Sequence, residues 1–173
     1  ECKGLKTVIF VNGVGEMDNY LFNYCKNLKT VWWKGKVNRI GVQCFGATGL
    51  EQFCVNAKNI DSCAFIGCED LKEIHIRSGV ENLNMTAFAM LTGIETICLE
   101  GIDPDVMEAD WVNLQNSTVT IMVPEDTTDE QLQLVIQKFA SAYIIVNKSQ
   151  VQKDSCQLSD CLLYTSPSPR DTR

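Results

Sequence analysis

The stretch Leu71-Lys72-Glu73-Ile74-His75-Ile76 decides the fold, because its pattern recurs four more times along the chain. The copies begin at intervals of 23, 22, 21 and 23 residues, at Leu5, Leu28, Leu50, Leu71 and Ile94. A row of phenylalanines follows the first four copies in phase, after 17, 17, 15 and 17 residues: Phe22, Phe45, Phe65 and Phe88. A period of about 20–30 residues is typical of a solenoid, whose turns bury their apolar side only against neighbouring turns.

One repeat holds the sequence signals of one complete turn. Within Leu71–Ile76 the last apolar residues alternate with polar ones, which is the two-residue period of a half-buried strand. Ser78-Gly79 is a turn signal. Val80, Leu83 and Phe88 then continue the apolar set at intervals of three and five residues. We therefore predict a short strand, a turn, and an irregular or helical return.

Stacked turns of this kind predict a parallel sheet on one side of the coil and a spine of phenylalanine rings on the other. The sheet follows because equivalent strands of successive turns lie side by side in the same direction. The predicted core consists of the in-phase apolar residues: Leu5, Val8, Phe22, Leu28, Val31, Phe45, Leu50, Phe65, Leu71, Ile74, Ile76 and Phe88.

Several cysteines also recur in phase. Cys2, Cys25 and Cys68 hold one repeat position, and Cys54 and Cys98 hold another. Stacked in-phase side chains point the same way, which is poor geometry for a disulfide, and a free cysteine packs as a small apolar residue. We therefore predict mostly reduced, structural thiols.

The repeat rhythm breaks after Gly101, and a different pattern follows. Thr118–Pro124 alternates like a strand, and Thr128 with Gln131 forms the signature of a helix capping box. Tyr143–Val146 is a further apolar run. The apolar residues between them have helical spacing: Leu132, Val135, Ile136 and Phe139. We predict a strand–helix–strand cap, since an open solenoid end exposes apolar side chains and unpaired strand edges.

These boundaries divide the chain into four parts. Residues 1–100 form about five repeat turns, and residues 101–147 form the divergent last turn and the cap. Residues 148–160 form a linker or the start of another segment, and residues 161–173 are set apart as a tail.

Both ends of the sequence indicate an interior fragment of a longer protein. Glu1-Cys2-Lys3-Gly4-Leu5 reads as the end of an earlier repeat. The tail, which starts Cys161-Leu162-Leu163-Tyr164, resembles a translated transposase sequencing adapter. We therefore expect residues 161–173 not to belong to the natural protein.

The run Ser62–Ile76, SCAFIGCEDLKEIHI, resembles the BspA-like leucine-rich repeats, and the likeness covers roughly residues 1–100. Arg77 stands where that family commonly has proline. The resemblance implies a leucine-rich-repeat-like coil with a short-stranded parallel sheet on one face. It also implies a bacterial cell-surface or secreted protein, or a surface protein of a protist, often with a role in adhesion.

Composition and motifs exclude several function classes. The formal net charge of −7 disfavours binding to nucleic acid or to an anionic membrane surface through bulk electrostatics. The sequence contains no phosphate-binding glycine loop, nucleophile elbow or zinc-protease helix. It has one histidine, His75, and no Cys-x-x-Cys pair, so we predict neither a metal site nor a cofactor.

The remaining candidates for function are the strand residues that point away from the core. The middle and last outward rows are Ile9, Trp32, Cys54, His75 and Cys98, and Val11, Lys34, Asn56, Arg77 and Glu100. From these rows and the first outward row we select as ligand-binding candidates Trp32, Lys34, Asn56, Glu73, His75 and Arg77. A tryptophan beside a lysine suits an interaction anchor, whereas we expect the residues around His75 to be a solvated charged row.

The sequence therefore favours a non-catalytic recognition module of a cell-surface or secreted protein. It would bind a protein or a glycan through its sheet face, without nucleic acid and without inserting into a membrane. Two alternatives remain open. The first is an intracellular protein-interaction scaffold, and the second is a β-helix carbohydrate-active enzyme, which the lack of in-phase outward carboxylates disfavours.

Overall fold

The computed structural model of the chain describes residues 2–84, 86–101, 118–139 and 143–149. Most of the break predicted after Gly101 lies outside these ranges, as do the linker beyond Ser149 and the adapter-like residues 161–173. In chain order the elements are β1 (Thr7–Phe10), β2 (Glu16–Met17), β3 (Thr30–Trp33), β4 (Val37–Ile40), β5 (Gln52–Val55), β6 (Ala57–Ile60), β7 (Glu73–Ile76), β8 (Asn82–Leu83), β9 (Thr96–Leu99), β10 (Thr118–Pro124), α1 (Asp129–Lys138) and β11 (Tyr143–Ser149).

The repeated hexapeptide forms a parallel strand in each turn. β1 pairs with β3, and the strands of a second sheet follow the order β11-β10-β9-β7-β5. The register is that of the repeat, so Val8 lies beside Val31, and Ile74 lies between Phe53 and Ile97. This arrangement confirms the predicted parallel solenoid.

A further parallel sheet, β2-β4-β6-β8, occupies the next side of each turn. The sequence pattern does not predict this sheet, because its apolar residues are spaced three residues apart rather than two. In β4 the first and last residues, Val37 and Ile40, are buried, whereas Asn38 between them is exposed. Such a strand lacks the two-residue alternation by which strands are recognised in sequence.

The rest of each return is a series of tight turns, as the irregular return predicts. The amides of Cys44, Gly46 and Thr48 each bond the carbonyl three residues earlier, at 3.1, 3.1 and 3.3 Å. Two repeat positions here have positive φ, one holding Tyr20, Gln43 and Cys63, the other holding Tyr24, Ala47, Gly67 and Met90. The same left-handed turn therefore recurs in successive coils, although only one of these residues is glycine.

The phenylalanine row forms a continuous stack through the middle of the coil. The ring centroids of Phe22 and Phe45 are 5.4 Å apart, those of Phe45 and Phe65 are 5.2 Å apart, and those of Phe65 and Phe88 are 5.1 Å apart. The rings are nearly parallel, at 12 to 19°. Backbone bonds tie the same level together, since the amide of Phe45 donates to Ala64 and that of Phe65 to Ala87, both at 2.8 Å.

Of the predicted core positions, nine are buried and three are partly buried. The buried ones are Phe22, Leu28, Phe45, Leu50, Phe65, Leu71, Ile74, Ile76 and Phe88. Leu5, Val8 and Val31 are partly buried and pack against this core. All three belong to the first two copies of the repeat.

Six of the seven cysteines in the described ranges carry free thiols, and Cys54 is disulfide-bonded. Burial raises the pKa of the Cys44 thiol to about 12. Cys68 donates to the carbonyl of Phe45 at 3.0 Å and contacts the hydroxyl of Thr48 at 3.2 Å. These two buried thiols serve packing, as predicted, whereas Cys54 departs from the expected reduced state.

The strand–helix–strand predicted after the repeats is present in β10, α1 and β11. The capping box is formed, with the Gln131 amide donating to Thr128 Oγ1 at 3.2 Å and the Thr128 amide donating to Gln131 Oε1 at 3.0 Å. β10 pairs in parallel with β9 and continues the repeat sheet, with Ile121 beside Ile97.

The phenylalanine stack generates a stability prediction. Phe65→Ala removes a fully buried ring with stacked neighbours on both sides, so we expect the free energy of unfolding to fall by ~3–5 kcal/mol. Leu21→Ala is the control, because Leu21 is 45% exposed. Urea denaturation monitored by circular dichroism measures both variants. Equal effects of the two substitutions would contradict the assignment of the stack as the core.

Candidate functional site

The outward side of the repeat strands forms one surface, which we call the outer sheet face. Its middle row follows the strand register, with Ile9 beside Trp32, and His75 between Cys54 and Cys98. Along β5 and β7 these residues alternate with buried ones, whereas Cys98 in β9 is itself buried. The face therefore presents a different side chain at each turn while the core beneath it repeats.

The six predicted binding residues fall into two groups on this face. Trp32 and Lys34 lie at and just beyond β3, on the two-stranded ribbon with β1, where Trp32 is half-buried and Lys34 is exposed. Glu73, His75 and Arg77 lie at and just beyond β7 in the longer sheet. The structure thus brings the last three together and leaves the first two apart from them.

Asn56 lies on the turn between the two groups and is bonded to the first of them. Its side-chain amide donates to the carbonyl of Gly35 at 2.7 Å. Gly35 follows Lys34, so this bond joins the loop after β3 to the loop after β5. Asn56 therefore acts in the structure as a bridge between turns.

Around His75 the face carries a compact cluster, the histidine cluster, made of Glu73, His75, Arg77, Cys98 and Glu100. His75 Nε2 lies 2.7 Å from Glu73 Oε1, and its Nδ1 lies 3.8 Å from Glu100 Oε1. Arg77 Nε lies 3.4 Å from Glu100 Oε2. Cys98 Sγ lies 4.0 Å from Glu73 Oε1.

The expectation of a solvated charged row is wrong for this cluster. The side chains of His75 and Glu100 are only 16% and 5% exposed. Glu100 follows β9 directly, and its backbone amide donates to the carbonyl of Ile76 at 2.9 Å, which fixes its position beside β7. The outward row at this level is therefore a packed polar layer.

The surroundings of His75 favour its charged form. Burial disfavours the imidazolium, but the polar contacts with Cys98, Glu100 and Glu73 outweigh it and raise the pKa of His75 to about 10. A histidine held this way does not serve as a general base at neutral pH, because the base form is scarce. The cluster behaves as a site that favours positive charge.

Cys98 and Glu100 were present in the outward rows but were not selected as candidates. The repeat interval is the signal that could have found them. Cys98 follows His75 by 23 residues, and Glu100 follows Arg77 by 23 residues. When parallel strands pair in the register of the repeat, residues that are one repeat apart in the sequence lie side by side in the sheet.

A second polar surface follows the outward side of β4, β6 and β8. The side-chain amide of Asn59 donates to the backbone carbonyl of Asn38 at 2.9 Å, and the side-chain amide of Asn82 donates to Asn59 Oδ1 at 2.6 Å. Next to this asparagine ladder, Arg39 pairs with Asp61, with Nη2 and Oδ2 2.6 Å apart. An open groove runs between the ladder and this ion pair. The ladder could also have been predicted from the repeat interval, at which its three residues recur: Asn38, Asn59 and Asn82.

Among the described residues, none of the helices is long and apolar enough to cross a membrane.

Comparison with known families identifies the repeats. The model of the BspA type leucine rich repeat region matches residues 1–95 in six copies. The match covers more than half of the 173 residues, and it includes the run Ser62–Ile76, on which the predicted family resemblance rests. Comparison with curated proteins gave no match.

The histidine cluster generates a second stability prediction. Glu100→Ala leaves His75 and Arg77 without their buried carboxylate, so we expect the free energy of unfolding to fall by about 2–4 kcal/mol. Glu95→Ala is the control, because its ion pair with Lys72 is exposed, with side chains 68% and 64% accessible. We expect that change to stay within about 0.5 kcal/mol. Urea denaturation distinguishes them, and a Glu100→Ala protein as stable as the Glu95→Ala protein would contradict the packed layer.

Proposed function

Because the chain belongs to the BspA-type leucine-rich repeat family, we propose that it is a non-catalytic recognition module that binds a protein or glycan through the outer sheet face. Repeats of this family generally mediate protein interaction, and the family is typically a non-catalytic repeat domain. The surface and the ligand class are our proposal.

The observation that carries the proposal is the exposed apolar group on the β1–β3 ribbon. Ile9 is 38% exposed and Val11 is 67% exposed, although both lie on a face where solvated residues would be expected. Trp32 lies directly beside Ile9, and Lys34 follows two residues later on the same side. An aromatic anchor with apolar neighbours and a flanking cation is typical of the centre of a recognition surface.

The proposed mode of binding is extended contact across turns. The ribbon presents its apolar group at one end of the face, and the histidine cluster presents charge further along. The two groups lie on the same face with the turn of β5 between them, so a ligand lying along the solenoid axis can touch both at once. Many modest contacts on a rigid scaffold give affinity with little loss of conformational entropy in the module.

We propose a cell-surface or secreted location, because the family is common in surface and secreted proteins. The intracellular scaffold stays as the second candidate, since the free buried thiols of Cys25, Cys44 and Cys68 are compatible with a reducing compartment. The β-helix enzyme receives no support from the histidine cluster, where the histidine is engaged by two carboxylates.

Binding by the ribbon is tested with single substitutions. Trp32→Ala removes the aromatic anchor, so we expect the affinity for a ligand to fall at least ~10-fold, as for a residue at the centre of an interface. Tyr24→Ala is the matched control, because Tyr24 is an exposed aromatic residue, 53% accessible, in the return outside the sheet face. A glycan array and immobilised extracellular matrix proteins serve as probes. Loss of binding in Tyr24→Ala with retention in Trp32→Ala would overturn the choice of face.

The location has its own test. We expect the complete gene to encode a secretory leader, and an antibody against the repeats to label intact, unpermeabilised cells. Labelling only after permeabilisation, together with a gene lacking a leader, would favour the intracellular scaffold.

A further inference from the structure

Three side chains of the histidine cluster bring three different metal-ligating atoms together. Glu73 offers a carboxylate oxygen, His75 a ring nitrogen and Cys98 a sulfur, and these atoms all lie within 4.8 Å of one another. The shortest separation is 2.7 Å, between Glu73 Oε1 and His75 Nε2, and Cys98 Sγ lies 4.0 Å from the same oxygen. In a tetrahedral zinc site, metal–ligand bonds of about 2.0–2.3 Å put neighbouring ligand atoms about 3.2–3.8 Å apart. The separations in the cluster run from 2.7 Å to at most 4.8 Å, so side-chain shifts of up to about 1 Å would convert it into a coordination shell.

Glu100 provides an independent observation. Its side chain is 5% exposed, and its Oε1 has no hydrogen-bond partner within the described part of the chain. The atom facing it at 3.8 Å, His75 Nδ1, is buried and also lacks a hydrogen bond. A histidine that binds a metal through one nitrogen almost always donates its other N–H to a carboxylate or carbonyl. Glu100 therefore stands in the place of this second partner.

We propose that Glu73, His75 and Cys98 form a zinc-binding site in which Glu100 accepts the Nδ1–H of His75. The metal is bound through Glu73 Oε1, His75 Nε2 and Cys98 Sγ, and water completes the tetrahedron. Water can reach the site, because the side chains of Glu73 and His75 are 40% and 16% exposed. Arg77 holds the second oxygen of Glu100, with Nε and Oε2 3.4 Å apart, and is a positioning residue.

The charges of this arrangement balance. On binding, the Cys98 thiol releases its proton to solvent and becomes a thiolate, and the His75 imidazolium releases the proton on Nε2 to solvent and coordinates as neutral imidazole. One carboxylate and one thiolate then neutralise Zn²⁺, while Glu100 and Arg77 neutralise each other. No electron transfer is involved. The carboxylates of Glu73 and Glu100, 2.7 and 3.8 Å from the two ring nitrogens of His75, attract a divalent cation to this position.

The mixture of donor atoms favours zinc over Mg²⁺ and Ca²⁺. Mg²⁺ and Ca²⁺ require shells made of oxygen, and a thiolate is a poor ligand for them. Zn²⁺ accepts thiolate, imidazole and carboxylate together, and a set of three protein ligands with one open position is common for it. Metal binding would join β7 to β9 across the outer sheet face, and it would stabilise the folded chain by mass action.

The test is direct zinc binding by the purified chain after treatment with a chelator. Mass spectrometry first verifies that Cys98 is a free thiol. Isothermal titration with Zn²⁺, competed by a chromophoric chelator, gives stoichiometry and affinity. We expect one site per chain and a zinc-dependent rise in the melting temperature. Co²⁺ in place of Zn²⁺ should give a thiolate-to-cobalt charge-transfer band.

Substitutions assign the ligands. We expect His75→Ala and Cys98→Ser to weaken zinc binding at least ~100-fold, and Glu100→Gln to weaken it by about 10–100-fold through loss of the second partner. Glu73→Gln tests the oxygen ligand while keeping a hydrogen-bonding group beside His75. Cys2→Ser is the control, because Cys2 is an exposed free thiol outside the cluster. Circular dichroism shows which variants are folded.

The outcomes are distinct. Loss of binding and of the cobalt band in folded Cys98→Ser and Glu73→Gln, with both retained in Cys2→Ser, supports the site. Absence of zinc binding in the unsubstituted chain overturns it. So does binding that survives Cys98→Ser and Glu73→Gln, or binding that Cys2→Ser abolishes, because an adventitious thiol would then be the ligand.

Discussion

The stacked rings of Phe22, Phe45, Phe65 and Phe88 set the spacing on which the rest of the molecule depends. Their centroids repeat at 5.1 to 5.4 Å, close to the separation of about 4.8 Å between hydrogen-bonded strands. Rings and strands can therefore advance together, turn after turn, without strain accumulating along the axis. No turn can bury its apolar side alone. Each ring therefore belongs to the core of its own turn and also shields the ring of the next turn from solvent. The left-handed positions of the returns recur for the same reason, since every coil must close with the same backbone path.

The same register governs the polar side chains. Ion pairs join residues one repeat apart at several levels, as in Lys29–Glu51, Lys58–Glu81 and Lys72–Glu95, at 2.9, 3.3 and 3.4 Å. Each pair is exposed and contributes little to stability by itself. Together they show that in-phase positions meet in space even where the sequence varies. The asparagine ladder of the second sheet follows the same rule with hydrogen bonds in place of charges.

In such a structure, candidate functional residues are the outward positions that keep the backbone register of the repeat but differ in residue type from turn to turn. On the outer sheet face, one row runs from Ile9 and Trp32 to His75 and Cys98, so an apolar anchor and a polar cluster occupy equivalent positions on different turns. The gap in strand pairing between β3 and β5 separates these two regions. A rigid coil thus carries an exposed apolar group and a packed polar cluster on the same face.

The sequence by itself determined the solenoid, the strands of its main sheet, the phenylalanine spine and the capping box of Thr128, because each is a local or periodic pattern with one packing solution. It did not reveal the second sheet, since residues such as Val37 and Ile40 lack the alternation of a strand. Nor did it reveal the histidine cluster, although all five residues stand in its outward rows. Their burial depends on how closely β7 and β9 approach and on where Glu100 turns inward, and these are properties of packing. Tertiary structure alone decided which outward residues face solvent and which meet one another, because the repeat fixes register while side-chain burial depends on everything packed around it.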